Sequence, residues 1–206
     1  MTDCTELHPA VFQHETLSRT LRYQGPIFAV YTDEVTMSGG GTARRDVTEN
    51  HGAVGVVALD DDGRVALIRQ YRHPVRRYMW ELPAGLCDVD GEDMAAAAGR
   101  ELAEEADLLA GRLDLIVDLF TSPGFTNERF RVFLARDLRP VPAADRYVRR
   151  DEEADIELAW FDLDEAVAMA LRGEISNAAA VCGLLGAARA RDGGWAALRP
   201  AGTPAP

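Results

Sequence analysis

Near the N-terminus, apolar and polar residues alternate loosely in two short stretches. Residues 27–37 (IFAVYTDEVTM) and 42–50 (TARRDVTEN) flank the glycines at 39–41, which predicts a β-hairpin. Two strands alone are marginally stable in water, so we expect this hairpin to pack on a body or on a partner. The polar, mixed residues 1 to about 20 predict a partly ordered arm.

Further short apolar runs predict the strands of a buried sheet. They cover residues 51–59, 64–71, 78–82, 113–121, 129–135 and 156–161. A polar turn at 60–63 joins the first two as a hairpin, and Pro83 ends the third. A long polar connection, residues 136–155, precedes the last strand.

Three alanine-rich segments predict helices. The first lies within residues 85–108, the second is 163–171 with Asp162 as N-cap and Gly173 as its stop, and the third is 176–191. Strands before, between and after these few helices predict an α/β fold, a mixed sheet covered by helices. We divide the chain into an N-terminal arm with its strands (1–48), a main domain (49–192) and a tail that we expect to be disordered (193–206).

Composition narrows the partners and the compartment. The formal net charge of −12 argues against a nucleic-acid surface, which needs basic patches. The three cysteines are widely spaced and form neither a disulfide framework nor a zinc pattern, which favours a reducing cytoplasm. No uncharged apolar run approaches the length of a membrane span, so we expect no membrane partner.

The first predicted helix carries acidic residues near its C-terminal end, where negative charge is unfavourable. Glu101, Glu104 and Glu105 lie near its C-terminus, where the macrodipole costs an acidic side chain roughly 0.3–1 kcal/mol. Glu101 also faces the other two at i+3 and i+4, and each like-charge pair costs roughly 0.2–0.5 kcal/mol. Arg100 is the only obvious local relief. We therefore expect a positive group at this helix end.

The spacing of this segment is specific. Gly85 is followed after six residues by Glu92, and after seven more by RELAEEADL, residues 100–108. This closely resembles the Nudix box, G-x5-E-x7-R-E-U-x-E-E-x-G-U, in which U is aliphatic. One extra residue precedes Glu92, and Asp107 replaces a glycine that is normally left-handed, a conformation that Asp tolerates better than most residues.

The resemblance implies a Nudix-type α/β/α sandwich and a magnesium site, with Mn²⁺ as an alternative. Metal ligands would be Glu101, Glu105 and the carbonyl of Ala84, with Glu104 close by, while Glu92 and Arg100 would brace the loop and helix through a salt bridge. Carboxylates at i and i+4 on one helix suit such ions, which prefer oxygen ligands. The plain alternative is a solvated acidic helix face.

The flanking segments resemble bacterial ADP-ribose pyrophosphatases over about residues 20 to 190. The similarity lies in QYRHP (70–74), WELPAG (80–85) and Pro123, fifteen residues beyond Leu108. It implies hydrolysis of ADP-ribose to AMP and ribose 5-phosphate. Two alternatives stay open: the same chemistry on another nucleoside diphosphate-sugar or dinucleotide, such as GDP-mannose or a flavin dinucleotide, and a Nudix-fold sensor that binds ADP-ribose without cleaving it.

The same resemblance implies the remaining site residues. The general base would lie on the loop RRDEEAD (149–155), at Glu153 or, one residue earlier, at Glu152. Substrate would contact Phe28, Arg45, Arg72, Ser122, Gly124 and Glu128. Either arginine can equally have a plain surface role, and Phe28 or Tyr31 can stack on adenine or be core. Relatives of this kind are homodimers that exchange their N-terminal strands, which would explain a hairpin that is not stable alone.

Overall fold

The computed structural model describes residues 13–149 and 154–204. Contacts within the chain divide it into two compact units. The first unit is Met1–Asn50 with Ser122–Asn127, and the second is His51–Thr121 with Glu128–Pro206. Each unit has its own sheet.

In the described residues the sheet of the first unit is antiparallel, with three strands in the order β1-β2-β3. These are β1 (Thr16–Gln24), β2 (Phe28–Thr36) and β3 (Thr42–Asn50). The sequence predicted only the last two, so the prediction of a hairpin was incomplete. Strand β1 escaped notice because it is exposed along its whole length and so carries no inward apolar pattern.

A segment far along the chain completes the first unit. The Thr48 N–H donates to the Phe125 carbonyl over 2.7 Å, and the Asn127 N–H donates to the Thr48 carbonyl over 3.2 Å. The Asn50 N–H donates to the side-chain oxygen of Asn127 at 3.2 Å. Residues 122–127 therefore belong to the first unit, which the sequence did not reveal.

The sheet of the second unit is mixed, as predicted. Its strands are β4 (Ala53–Leu59), β5 (Arg64–Arg72), β6 (Arg77–Glu81), β7 (Ala84–Leu86), β8 (Leu108–Phe120), β9 (Arg129–Pro140), β10 (Glu157–Asp162) and β11 (Arg199–Pro200). The order is β10-β5-β4-β9-β8-β11, with β6 paired to β5 and β7 paired to β4. In the described part of the second unit only β4 and β9 pair in parallel.

In the described residues three α-helices cover both faces of this sheet: α1 (Met94–Ala106), α2 (Leu163–Leu171) and α3 (Ala178–Asp192). Val54 and Val56 of β4 pack in the cluster that contains α1. Val57 and Leu59 pack in the cluster that contains α2 and α3. Because both faces of β4 are covered, its sequence is continuously apolar. The predicted α/β/α sandwich is therefore present.

The helix boundaries follow from side-chain caps. Asp162 caps α2 as predicted, accepting from the backbone N–H groups of its first turn, and Gly173 follows that helix with φ +79°. Helix α3 begins two residues later than predicted, because the Asn177 side chain accepts from the Ala180 N–H at 3.0 Å. Neither these helices nor α1 is long and apolar enough to cross a membrane.

The expectation of a disordered tail is wrong for the described residues up to 204. Strand β11 pairs with β8. Arg131, only 3% exposed, pairs with Asp118 at 2.6 Å and donates to the Thr203 carbonyl at 2.7 Å. A buried guanidinium needs acceptors for its donors, and the tail carbonyls supply them. The composition of the tail predicted disorder because Arg131, the residue that binds it, lies on β9, far away in the sequence.

Candidate active site

Helix α1 carries the acidic residues of the candidate site. It begins after Asp93, whose side chain accepts from the Ala95 N–H at 3.1 Å. It ends at Asp107, which has φ 56° and ψ 33° and donates its N–H to the Leu102 carbonyl. Asp107 thus adopts the left-handed conformation expected of the glycine that it replaces.

Two buried carboxylates face the backbone of β7. Glu101 and Glu105, one helical turn apart, are 8% and 5% exposed. Glu105 accepts from the Ala84 N–H at 2.7 Å. The Glu101 carboxylate lies so close to Gly85 that any Cβ at that position would overlap it. A side chain at position 85 would therefore have to displace the Glu101 carboxylate from this place.

Arg100 links the loop and the helix. Its Nε and one terminal nitrogen donate to Glu92 at 3.1 and 3.0 Å, so the predicted salt bridge is present. Its other terminal nitrogen donates to Glu101 at 2.6 Å and to Glu104 at 3.1 Å. The hydrogen bond between Arg100 and Glu92 raises the pKa of the Arg100 guanidinium and lowers the pKa of the Glu92 carboxyl. The Arg100 guanidinium thus contacts three carboxylates, those of Glu92, Glu101 and Glu104.

A second arginine, which sequence reasoning missed, lies at the C-terminal end of α1. Arg149 donates from Nε to the Glu104 carbonyl oxygen at 2.8 Å and pairs with the Asp107 carboxylate at 2.9 Å. It places a positive group at this helix end, on the Glu104 carbonyl and on Asp107 rather than on the carboxylates of Glu101, Glu104 and Glu105. No local signal marked it, because Arg149 lies more than forty residues away in the sequence.

The donor set suits a divalent cation, although it is not a closed cage. In the described ranges no three His, Cys, Asp or Glu side chains already converge as a metal site. Glu104 instead contacts Arg100. Even so, two carboxylates are buried against the Ala84 backbone, and buried charge is costly unless it is paired or coordinates a metal. All of these donors are oxygens, as Mg²⁺ prefers, and Mg²⁺ usually keeps several waters.

Four of the predicted substrate contacts lie in the first unit. Phe28 is 41% exposed at the start of β2, opposite Asn50, and the loop holding Ser122 and Gly124 is hydrogen-bonded at that same end of the sheet. Arg45 is opposite Asp33, five residues along β2, or about 17 Å from Phe28. The structure therefore groups Phe28 with the loop and places Arg45 apart from them.

Side-chain contacts distinguish the aromatic and arginine candidates of this unit. The Tyr31 ring is covered by the Arg19 guanidinium at 4.7 Å, whereas the Phe28 ring packs against Tyr23 at 5.7 Å. The Arg45 side chain donates to the neighbouring carbonyl of Arg44 at 2.9 Å. Phe28 is thus the more accessible of the two rings to a ligand.

The other two predicted contacts lie in the second unit. Arg72 binds Glu81 through Nε and a terminal nitrogen, the latter at 2.7 Å, and Glu81 is 2% exposed. Glu128 accepts a hydrogen bond from the Thr121 hydroxyl. The two candidate bases, Glu152 and Glu153, lie outside the described residues. The substrate and base assignments therefore remain predictions.

The chain is similar to known proteins over most of its length. The family model of the NUDIX domain matches residues 49–182. The chain is 46% identical over 189 residues to the ADP-ribose pyrophosphatase of Mycobacterium tuberculosis, covering 92% of this chain and 89% of that protein. It is 30% identical over 166 residues to the ADP-ribose pyrophosphatase of Bacillus subtilis, covering 81% and 88%. A crystal structure of an ADP compounds hydrolase superposes with a TM-score of 0.76 at 22% identity, covering 92% of this chain and all of that one, which shows a shared fold.

Proposed function

Because the chain belongs to the Nudix hydrolase family, we propose that it hydrolyses the diphosphate of ADP-ribose to AMP and ribose 5-phosphate. The observation that carries the reaction type is the pair of buried carboxylates, Glu101 and Glu105, held against the backbone at Ala84 and Gly85. The substrate is supported by 46% identity to an ADP-ribose pyrophosphatase over nearly the whole chain.

The proposed cofactor is Mg²⁺, with Mn²⁺ as an alternative. Glu101, Glu105 and the Ala84 carbonyl would hold the ion, with Glu104 close by. When bound, the cation supplies charge that neutralises the diphosphate and makes a nearby water easier to deprotonate. Arg100 donates to both Glu101 and Glu104, so it holds these two carboxylates close together.

The remaining roles are divided among residues outside α1. Glu153, or Glu152, would take the proton from the attacking water. Arg72 would bind phosphate oxygens, and its contacts with buried Glu81 support this role because a guanidinium held in one orientation loses less entropy on binding. Phe28 would stack on adenine, and Arg45 would also bind phosphate. The terminal ribose would contact Ser122, Gly124 and Glu128.

A homodimer with exchanged N-terminal strands is part of the proposal, as is a cytoplasmic location. Strand β1 supports the dimer, because Leu17, Leu21 and Tyr23 on it are all more than half exposed. An exposed edge strand with apolar side chains is a pairing hazard that proteins usually cover. We expect light scattering of the full chain to give twice the mass of 22.5 kDa. A monomer at all concentrations would contradict the exchange.

The experiment that tests the function is product analysis with the purified full chain. We expect ADP-ribose and Mg²⁺ to give AMP and ribose 5-phosphate in equal amounts, and a chelator to stop the reaction. GDP-mannose and a flavin dinucleotide should react at least about tenfold less efficiently. A better substrate among these would replace ADP-ribose. Binding of ADP-ribose with Mg²⁺ but without release of AMP would make the protein a sensor.

A further inference from the structure

Asp107 occupies a backbone position at which glycine would be unstrained. Its φ of 56° lies in the left-handed region, where a side chain carries a steric cost. The side chain has a defined contact, because one carboxylate oxygen lies 2.9 Å from a terminal nitrogen of Arg149. The other lies 4.0 Å from the Arg146 Nε. The Asp107 carboxylate thus forms an ion pair that a glycine at this position could not form.

Arg149 binds two different groups at the end of α1. Besides Asp107, it contacts the Glu104 carbonyl, one of the final carbonyls of a helix that have no intrahelical partner. Its positive charge also lies at the negative end of the helix dipole. Both side chains of the pair are only about a quarter exposed, at 23% and 24%, so water screens this pair less than an open surface pair.

Asp107 is itself firmly held. Its N–H donates to the Leu102 carbonyl, and its own carbonyl accepts from the Val141 N–H at 2.8 Å. The point to which Arg149 attaches is therefore fixed to both α1 and the residue after β9. As a result, the backbone at residue 149 is tied to the helical turn that carries Glu104 and Glu105.

The next residues of the chain include both candidate bases. Glu153 follows Arg149 by four residues, which span at most about 14 Å when fully extended. We propose that the ion pair between Asp107 and Arg149 ties the chain at residue 149 to the C-terminal end of α1, and that both residues act on turnover as positioning residues. The tie stands on the contacts themselves, while its effect on turnover rests on the proposed hydrolysis.

Substitution of Asp107 separates positioning from stability. Asp107→Gly removes the carboxylate and relieves the left-handed strain, so the Tm should stay the same or rise. We expect kcat to fall about tenfold while KM stays within about twofold. Asp107→Asn, which also tolerates this conformation, should lower kcat in the same way. An unchanged kcat in Asp107→Gly, or a fall in Tm that parallels the loss, would overturn the proposal.

Arg149→Ala and a matched control test the partner. Arg172 also lies at a helix end, at the C-cap of α2, and pairs with Glu165 at 2.8 Å. Arg149→Ala should repeat the effect on kcat, and Arg172→Ala should leave kcat unchanged. In the double variant Asp107→Gly with Arg149→Ala, kcat should fall no further than in the more affected single variant, because both substitutions remove the same interaction. A fall in kcat of about a hundredfold in the double variant would show that the two residues act independently, and it would overturn the proposal.

Amide hydrogen exchange tests the tie without any substrate. Peptides spanning residues 141–157 should exchange faster in Asp107→Gly and in Arg149→Ala than in the wild type, and Arg172→Ala should not differ from the wild type. Unchanged exchange in the first two variants would overturn the proposal. Faster exchange in a protein that does not hydrolyse ADP-ribose would support the tie and reject the proposed substrate instead.

Discussion

Helices α1 and α3 are both rich in alanine, yet they treat their C-terminal ends in opposite ways. Helix α3 carries Arg189 and Arg191 in its last turn, where positive charge matches the helix dipole. Helix α1 has no basic residue in its last turn and carries Glu104 and Glu105 there instead. Arg189 and Arg191 outnumber the one acid in the last turn of α3, Asp192, so the net charge at this end of α3 is the one expected for stability alone. The charges of α1 oppose stability, as expected of a helix with the proposed role in chemistry.

The sharpest test of this contrast compares an acid near the end of each helix. We expect Glu105→Gln on α1 to lower kcat about 10³-fold, because it removes a buried carboxylate from the proposed cation site. Asp192→Asn at the end of α3 removes an exposed acid and should leave kcat unchanged. Steady-state kinetics with ADP-ribose measures both. Equal effects in the two variants would remove the distinction between the helices.

The proposed base lies outside both helices, so its loss should act differently from the loss of a cation ligand. Glu153→Gln should lower kcat about 10²-fold to 10³-fold while KM for ADP-ribose and the Mg²⁺ dependence stay the same. Glu152→Gln should change kcat less than about tenfold. The reverse ranking would assign the base to Glu152, and unchanged kcat in both variants would move it elsewhere.

Gly85 lies on β7 beside Glu101, and Gly99 lies inside α1 away from it, so alanine at each position gives a matched pair of variants. Gly85→Ala places a Cβ into the Glu101 carboxylate, so we expect kcat to fall about 10²-fold. Gly99→Ala meets no atom within 4 Å and lies inside α1, where alanine stabilises by roughly 0.5–1 kcal/mol. It should raise Tm and keep full activity. A Gly85→Ala variant as active as Gly99→Ala would mean that Glu101 need not be held against β7.

The smallest expected effect concerns the salt bridge between Glu92 and Arg100. Because Arg100 lowers the folded-state pKa of Glu92 below its ordinary value of 4.5, the bridge stabilises the fold at pH values above 4.5. That contribution is lost as the pH falls through the lowered pKa. The Tm of wild type should therefore exceed that of Glu92→Gln at neutral pH and converge with it in acid. A difference that grows in acid would contradict this sign.

The layers of the fold could be predicted from the sequence because apolar runs and alanine-rich segments signal them directly. The continuous run in β4 and the cap at Asp162 are local signals, and both were interpreted correctly. Strand β1 was missed because it is exposed along its whole length and so carries no inward apolar pattern, although it pairs with the adjacent β2. The ordered tail was missed because its partner, Arg131 of β9, is distant in sequence.

The candidate site divides in the same manner. The acidic residues of α1 and their bridge from Arg100 to Glu92 follow from spacing along one helix and one loop. Arg149 did not, because its partners, the Glu104 carbonyl and Asp107, are brought to it only by the fold. The partner of Arg72, buried Glu81, was missed likewise, since it lies on the neighbouring strand β6.

The most direct test of the claim that α1 is built for a cation is the Tm shift caused by Mg²⁺ in the absence of substrate. A ligand that binds only the folded state raises its Tm. Wild type should therefore gain stability as Mg²⁺ is added, and Glu101→Gln should gain little or none, while Asp192→Asn should match the wild type. A shift of the same size in wild type and Glu101→Gln, or none in wild type, would contradict the account.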